Sequence, residues 1–400
     1  MSLSRSALLA ALLASATPLL AQPLPDLRPC LDSLRATRGG MRLTPDTWAL
    51  LTDVTADTTV LQLLDAQPEV QLPVWDYMAV LTDDERVADG RAALARERAM
   101  IDRLVGERRV PAHILAAIWG IESNYGTGTG TFDVLRSLAT LGCVGRRQTY
   151  FRGELLAALR IVERGDIPRE AFRGSWAGAF GQTQFMPGSF ERLAVDFDGD
   201  GRRDVIGSVA DALASTARYL RGAGWQPGLA WGVEVRVPAT FTLPARGRRA
   251  PRTITRWRAA GVTRLDGRAL VATDLPATAR AGLLAPAGRD GPLFLVTRNF
   301  EAIYRYNASD RYSLAVAHLA DRIAGGGPIT TPWPTDDGGL TRADRRELQR
   351  LLAARGHDVG APTALLTPAI LAAVRVEQQR VGHSVTGRPG QRLLGALRRP

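Results

Sequence analysis

Residues 116–126 read Ala116-Ala-Ile118-Trp119-Gly-Ile121-Glu122-Ser123-Asn124-Tyr125-Gly126. The apolar residues recur at helical spacing, and the face that carries Glu122 also carries Trp119, Ile118, Leu115 and Ile114. We therefore predict a core helix that bears one carboxylate close to its C-terminal end, with a glycine just beyond that end.

Glu122 is the candidate catalytic residue. Burial disfavours the charged form of a carboxyl and raises its pKa, and the partial negative charge at a helix C-terminus acts in the same direction. A Glu that keeps its proton near neutral pH can serve as a general acid. The alternative is a buried Glu that is neutralised by an arginine, and the motif alone does not separate the two.

The composition is that of a globular protein with unusual basic residues. The chain has 400 residues, of which 45% are hydrophobic and 23% charged, enough for two or three domains with real cores. Its net charge of +11 comes wholly from arginine, because the sequence contains no lysine, which excludes Schiff-base lysine chemistry. A basic surface suits an acidic polymer, but the arginines are scattered and no nucleic-acid-binding motif accompanies them. We expect no nucleic-acid partner.

The first 21 residues have the pattern of a signal peptide. Arg5 precedes an apolar run that extends to Leu20, and the small residue Ala21 follows. The run is short for a membrane span, and no cysteine follows it that could carry a lipid anchor. We expect an exported, soluble, monomeric periplasmic protein without a transmembrane span in its mature chain.

Two cysteines, Cys30 and Cys143, lie in the predicted mature part. An oxidising compartment would preserve a disulfide between them. Two unrelated buried thiols are the alternative, since the sequence gives no distance between the two positions.

The periodicity predicts an α+β protein that is mainly helical. The N-terminal half reads as helical, period-two alternation at 233–237 and an apolar run at 293–296 predict strands, and helical spacing returns at Tyr312–Ile323. The Gly- and Pro-rich residues 325–339 predict a linker at a domain boundary, with glycines for flexibility and prolines that keep it extended. Beyond it, three short helices are predicted at Arg342–Arg355, Pro368–Val381 and Gln391–Arg398.

The segment Ser175–Pro187 alternates tiny residues with aromatics and carboxamides. Small residues let a bulky ligand approach the backbone, aromatic faces suit sugar rings, and carboxamides such as Gln182 and Gln184 bond to hydroxyls and amides. The segment therefore predicts the wall of a substrate cleft. A tight helix–helix crossing with glycines for clearance is the alternative.

An acidic loop opens like a calcium-binding loop. Acidic residues occupy positions one, three, five and nine of the pattern, and Gly201 occupies position six. These acids are Asp196, Asp198, Asp200 and Asp204. Position twelve is Gly207 rather than Glu, so Asp211 would complete the set only in a longer loop. The alternative is a metal-free turn whose charge Arg202 and Arg203 neutralise. Any calcium here would be structural.

Polar aromatic residues cluster where the chain passes from a strand to a helix. Tyr306, Asn307 and Tyr312 lie in this region. Such residues line sugar clefts, and a tyrosine-rich packing edge is the alternative.

With these motifs assembled, the chain resembles the B-type (family 3) lytic murein transglycosylases. The segments that carry the resemblance are 119–126, 175–187 and the acidic loop leading to Tyr219 and Gly224-Trp225. By similarity, the glycan or the catalyst is held by Ser175, Gln184, Tyr219, Tyr306, Asn307 and Tyr312. From the same motifs we add Ser123, Tyr125, Gln182, Phe185 and Met186 as candidate substrate-binding residues.

The resemblance implies a lysozyme-like catalytic domain over residues 22–324, with a β-containing part at about 230–300. Residues 340–400 resemble a three-helix peptidoglycan-binding domain. The implied reaction cleaves the MurNAc–GlcNAc β-1,4 bond of peptidoglycan glycan strands without water and leaves 1,6-anhydroMurNAc ends, with Glu122 as the single general acid and base. No cofactor is required. The alternatives are a muramidase that uses water and a non-catalytic wall-binding scaffold.

Overall fold

The computed structural model describes residues 24–65, 72–266 and 268–399, so the predicted signal peptide lies outside the described residues. The chain is mainly helical, as predicted. Its helices are α1 (Arg28–Arg35), α2 (Pro45–Ala49), α3 (Thr58–Asp65), α4 (Val74–Leu81), α5 (Asp84–Arg96), α6 (Arg98–Arg108), α7 (Ala112–Ser123), α8 (Val134–Cys143), α9 (Gln148–Glu163), α10 (Pro187–Leu193), α11 (Val209–Gly222), α12 (Ile254–Ala259), α13 (Arg298–Tyr306), α14 (Asp310–Ile323), α15 (Arg342–Ala354), α16 (Pro368–Arg380) and α17 (Gln391–Leu397). No helix in this described part is long and apolar enough to cross a membrane.

The strands form one small and one larger antiparallel sheet. They are β1 (Phe132–Asp133), β2 (Arg173–Gly174), β3 (Gly232–Arg236), β4 (Arg252–Thr253), β5 (Thr263–Arg264), β6 (Arg280–Leu284) and β7 (Leu293–Val296). β1 pairs with β2, and the other five have the order β4-β6-β7-β3-β5. The strands predicted at 233–237 and 293–296 are β3 and β7, and they pair with each other. β6 was not predicted, because its sequence shows no alternation.

Buried apolar residues of the described chain form four separate clusters. One surrounds α7 and α14 and includes Trp119, Phe300 and Leu319. A second lies among α1, α8 and α9. A third fills the β-containing part, and a fourth holds α15, α16 and α17 together. The buried apolar faces of these helices are therefore covered by neighbouring elements.

The structure joins Cys30 of α1 to Cys143 at the end of α8 by a disulfide. The Cα atoms are 5.7 Å apart, and 113 residues separate the two positions in sequence. The bond links the N-terminal helix to a helix of the second cluster. It therefore ties the start of the described chain to the body of the protein.

The segment 325–339, which is predicted to be a linker, is packed against the body. Its Thr330 and Thr331 N–H groups each donate to the Glu234 carboxylate at 2.8 Å, and Trp333 packs against the cluster around α7 and α14. Gly339 lies so close to α4 that an added Cβ would be 2.7 Å from the Cα of Asp76. Glycine and proline suit a flexible tether, but they equally suit a chain that must follow a surface closely.

The three C-terminal helices begin at the predicted residues and end one residue earlier. Thr341 caps α15 in a capping box with Asp344, and Thr367 caps α16 just before Pro368. These local signals fix each start. The caps explain why the sequence predicts this region so closely.

Asp321 in α14 is expected to make stability depend on pH. It is mostly buried, and its carboxylate accepts a hydrogen bond from Trp231 Nε1 at 3.0 Å. Burial raises the pKa of Asp321 from 3.8 to about 6. The folded state therefore favours the protonated form: the stabilisation is complete below about pH 4 and is lost as pH rises through about 6.

The Asp321→Asn side chain does not titrate. We therefore expect the unfolding free energy of this variant, relative to that of the wild type, to rise by about 2–3 kcal/mol when the pH is raised from 4 to 7. Urea unfolding at both pH values measures this. A difference between the two proteins that does not change with pH would contradict the prediction.

Candidate active site

Helix α7 places Glu122 where the chain leaves the core. Its residues 114–120 are all buried, so the helix is enclosed on every side rather than along one stripe. The helix ends because Asn124, Tyr125 and Gly126 take positive φ angles of 49°, 59° and 87°. Glu122 lies in the last turn of α7, as predicted, but its side chain is half-buried rather than enclosed in the core.

Tyr312 of α14 contacts the Glu122 carboxylate directly. Its hydroxyl donates to Oε1 at 2.5 Å. Burial and the neighbouring Glu122 charge raise the pKa of Tyr312 well above that of an ordinary phenol, so the hydroxyl keeps its proton and remains a donor. This hydrogen bond fixes the direction of the Glu122 carboxyl group, whose oxygen can accept it whether or not the group carries a proton.

Three more aromatic side chains lie beside this pair. Tyr306 donates to the Thr183 carbonyl at 2.6 Å, and its ring centroid is 4.8 Å from that of Tyr219 and 6.0 Å from that of Phe185. Burial and Glu122 raise the pKa of Tyr306 as well. Helices α7, α11, α13 and α14 thus bring one carboxylate and several aromatic rings together. Tyr77 of α4 also raises the pKa of Tyr312. Sequence analysis missed Tyr77 because no motif surrounds it.

The segment 175–187 folds as tight turns between β2 and α10. Phe180 pairs with both Gly174 and Phe185 in isolated bridges, and Gly178 and Gly181 take positive φ angles. An added Cβ on Gly178 would lie 2.4 Å from Leu138. The alternative of a helix–helix crossing is therefore wrong, and the glycines let the turns pack closely against neighbouring parts of the chain.

Gln184 is held in an unusual conformation within these turns. Its φ is 51°, and its side-chain amide donates to the Thr129 carbonyl at 3.0 Å and to the Gly181 carbonyl at 2.9 Å. Both N–H groups are thus used internally, which leaves the amide oxygen as its side-chain group for a ligand. A non-glycine residue with positive φ costs energy, and such strain concentrates at functional sites.

Three predicted substrate-binding residues are buried, and their polar atoms bond within the protein. Ser123 donates to the Gln182 carbonyl at 2.6 Å and accepts from the Gly126 N–H at 2.9 Å. The Gln182 side chain donates to the Ile206 carbonyl at 3.1 Å. Tyr125 donates to the Arg86 carbonyl at 2.7 Å, and burial raises its pKa. These contacts favour a structural role: they join the end of α7 to the neighbouring turns and to α5.

The remaining predicted residues lie at element ends. Ser175 accepts from the Ala179 N–H at 3.0 Å and is half-buried. Met186 immediately precedes α10 and packs partly against the second cluster, while Asn307 follows the last residue of α13 and is exposed. Because Ser175 and Met186 are partly exposed and Asn307 is exposed, these three side chains can contact a ligand.

Arginine side chains surround the end of α7, where the structure departs from the predicted electrostatics. Arg86 of α5 donates to the Gly120 carbonyl and lies 3.4 Å from Asn124 Oδ1. A guanidinium at a helix C-terminus offsets the partial negative charge of the last carbonyls. Sequence analysis missed Arg86. Asn124 could have been recognised as a residue that suits a left-handed helix end, but it does not indicate which arginine packs there.

The acidic loop brings together three of the five predicted carboxylates. One oxygen each from Asp196, Asp198 and Asp211 lies within 4.8 Å of the others. Asp200 instead pairs with Arg202 at 3.3 Å, and Asp204 accepts from the Ile206 and Gly207 N–H groups. Asp211 comes from the first turn of α11, so it supplies an acid that the loop itself lacks.

The fit of these acids to calcium follows from their spacing. Ca²⁺ binds oxygens at about 2.3–2.6 Å, so ligands on opposite sides of one ion are up to about 5 Å apart. The three carboxylates satisfy this limit. Of the two arginines that the metal-free alternative invoked, Arg202 pairs with Asp200, whereas Arg203 bonds to Asp166 instead. The donor set therefore fits a divalent cation.

The chain matches two protein families. Residues 29–321 match the family described as the transglycosylase SLT domain, and residues 341–397 match a peptidoglycan-binding domain. The membrane-bound lytic murein transglycosylase B of Escherichia coli K12 is 34% identical over 219 residues, which are 54% of this chain. The chain spans 57% of the length of that curated relative.

Solved structures resemble the chain more completely. SltB3 from Pseudomonas aeruginosa, crystallised with NAG-anhNAM-pentapeptide, has 43% identity and a TM-score of 0.74, covering 93% of this chain and 99% of that one. The Escherichia coli lytic transglycosylase SLT35 in complex with calcium has 28% identity and a TM-score of 0.62, covering 75% and 93%.

We expect Ser123→Ala to lower the stability of the fold rather than to remove a contact to a ligand. Removing the hydroxyl leaves the buried Gln182 carbonyl and Gly126 N–H without this partner, at a cost of about 1–3 kcal/mol. The matched control is Ser33→Ala on the exposed face of α1, which should stay within about 0.5 kcal/mol of the wild type. Urea unfolding compares the two. Equal stability of both variants would argue against the structural role of Ser123.

Proposed function

Because this chain belongs to the transglycosylase SLT domain family, we propose that it is a lytic transglycosylase that cleaves the MurNAc–GlcNAc β-1,4 bond of peptidoglycan. The observation that carries the proposal is the half-buried Glu122 carboxylate with Tyr312 donating to it at 2.5 Å. The similarity to SltB3, a protein crystallised with an anhydro muropeptide, supports it.

In the proposed reaction Glu122 acts first as an acid. It gives its proton to the glycosidic oxygen as the bond from that oxygen to C1 of MurNAc breaks, and GlcNAc leaves with a free hydroxyl. The carboxylate then accepts the proton of the C6 hydroxyl of MurNAc as that oxygen bonds to C1. The product is a 1,6-anhydro ring, no water is consumed, and Glu122 regains its proton.

One carboxylate suffices for this chemistry. Hydrolytic glycosidases commonly use two, one as the acid and one as the nucleophile or base. Here the substrate supplies the attacking oxygen. Tyr312 keeps its proton and holds the carboxylate in place, and the rings of Tyr306 and Tyr219 offer faces for sugars.

Ser175, Gln184, Met186 and Asn307 are the proposed contacts to the glycan, with Phe185 packed behind the tyrosines. The C-terminal domain would bind the wall, since it matches a peptidoglycan-binding family. We propose a periplasmic location, because that is where the substrate lies and because residues 1–21 carry the signal-peptide pattern.

Replacing Glu122 should abolish the activity without unfolding the protein. We expect Glu122→Gln to lower turnover of purified sacculi by at least about 100-fold, because general acid–base catalysis contributes a factor of about 10²–10⁴. Turbidity clearance measures the rate. Glu107→Gln on the exposed surface of α6 is the matched control and should keep wild-type activity.

Mass spectrometry of the products separates the alternatives. Anhydro ends, lighter by one water than hydrolysed ends, are expected. Reducing ends would show that the enzyme is a muramidase, and equal clearance by the Glu122→Gln variant and the wild type would point to a scaffold.

We also propose that Asp196, Asp198 and Asp211 hold a structural calcium ion. Each offers a carboxylate oxygen within reach of one ion. A bound cation would hold the loop to the start of α11, the helix that carries Tyr219. It would add stability and take no part in the reaction.

Calcium should raise the melting temperature of the wild type by a few degrees, since a ligand at 100 times its Kd stabilises by about 2.7 kcal/mol. Asp196→Asn should reduce this shift strongly, whereas Asp200→Asn, outside the cluster, should retain it. Thermal unfolding with calcium, magnesium or chelator tests this. An identical melting temperature in calcium and in chelator would favour the metal-free turn.

A further inference from the structure

The C-terminal domain contacts α4 and the start of α5 through two half-buried arginines. Arg342 of α15 pairs with Asp83 at 3.0 Å, and Arg388 pairs with Asp76 at 2.6 Å. Both carboxylates are almost fully buried. With the packed segment 325–339, these pairs hold the domain in one position against α4 and α5.

Arg342 also reaches past this interface to the end of α7. Its Nε and Nη2 atoms donate to the Asp83 carboxylate, while Nη1 donates to Asn124 Oδ1 at 2.9 Å. Asn124 is the left-handed residue that ends α7, two positions after Glu122. One guanidinium therefore joins the C-terminal domain, the start of α5 and the end of the helix that carries Glu122.

The charges around Arg342 keep this arrangement rigid. Asp83, Glu85 and Asp89 face it from α5 and its N-terminal cap, and Arg86 from the same helix approaches the same Asn124 oxygen. The Arg342 side chain is only 13% exposed. A planar guanidinium with fixed donors can satisfy Asp83 and Asn124 at once, whereas a lysine ammonium cannot reproduce that fork.

We propose that Arg342 is a positioning residue for the reaction, acting through Asn124 on the orientation of Glu122. This rests on the proposed function of Glu122. The C-terminal domain thereby becomes part of the catalytic apparatus in addition to any contact with the wall. Its effect extends to short soluble glycans, for which wall binding is irrelevant.

The test first changes each partner of the contact between Arg342 and Asn124. Arg342→Lys keeps a positive charge beside Asp83 but loses the fork. Asn124→Gly removes the amide and keeps a residue suited to positive φ. On a short soluble glycan each should lower kcat about tenfold with KM unchanged, because small misplacements of a catalytic group are costly. The kcat of the double variant should lie within about twofold of that of either single variant, as expected when both changes break the same contact.

Arg388→Lys weakens a comparable buried pair without touching Asn124. It should keep wild-type kcat. Hydrogen exchange of residues 119–126 should be faster in Arg342→Lys and Asn124→Gly than in the wild type and unchanged in Arg388→Lys. This second readout does not depend on activity. Exchange that is faster at residues 119–126 but unchanged in the other core helices separates a local effect from a loss of overall stability.

Equal losses of kcat in Arg342→Lys and Arg388→Lys would overturn the proposal, because the effect would then come from domain docking alone. Wild-type kcat and exchange in Arg342→Lys would overturn it as well. A wild-type protein that forms no anhydro product refutes the proposed function instead. In that case the exchange data still decide whether Arg342 fixes the end of α7.

Discussion

The hydrogen bond from Tyr312 to Glu122 is the interaction on which the site depends. It forms because α7 and α14 lie side by side in the main hydrophobic cluster, with Ile118, Trp119 and Leu319 fully buried. Helices that are enclosed on all sides have little freedom to shift, since protein interiors are close-packed. The carboxylate therefore emerges from a rigid base at the point where the chain turns out of the core.

The start of α14 is fixed from the β-containing part. Arg248 is almost fully buried and bonds to Asp310 at 2.7 Å and to Glu301 at 2.5 Å, while its guanidinium lies 3.9 Å from the Tyr304 ring centroid. Asp310 is the first residue of α14, two positions before Tyr312. The β-containing part thus helps to set the position of the tyrosine that holds Glu122.

The arginine-only composition acquires a structural meaning from such contacts. Arg86, Arg248 and Arg342 each join two or more elements near the site through several donors. Guanidinium groups suit this use because they stay charged and carry donors in a fixed plane. Part of the net charge of +11 therefore belongs to interior connections rather than to a surface for an acidic polymer.

The sequence by itself determined what short spacing controls. Helical periodicity predicted α7 and the C-terminal helices, and the residues around Glu122 predicted the candidate catalytic segment. Alternation predicted β3, and a short apolar run predicted β7. Only the tertiary structure decided which polar side chains face a ligand. Ser123 and Tyr125 have the residue types of binding residues but are buried, Asp211 joins the acidic loop from a following helix, and Arg342 meets Asn124 across 218 residues. The physical reason is that local spacing specifies the face of an element, whereas the partner of that face is chosen by packing between segments that are distant in the chain.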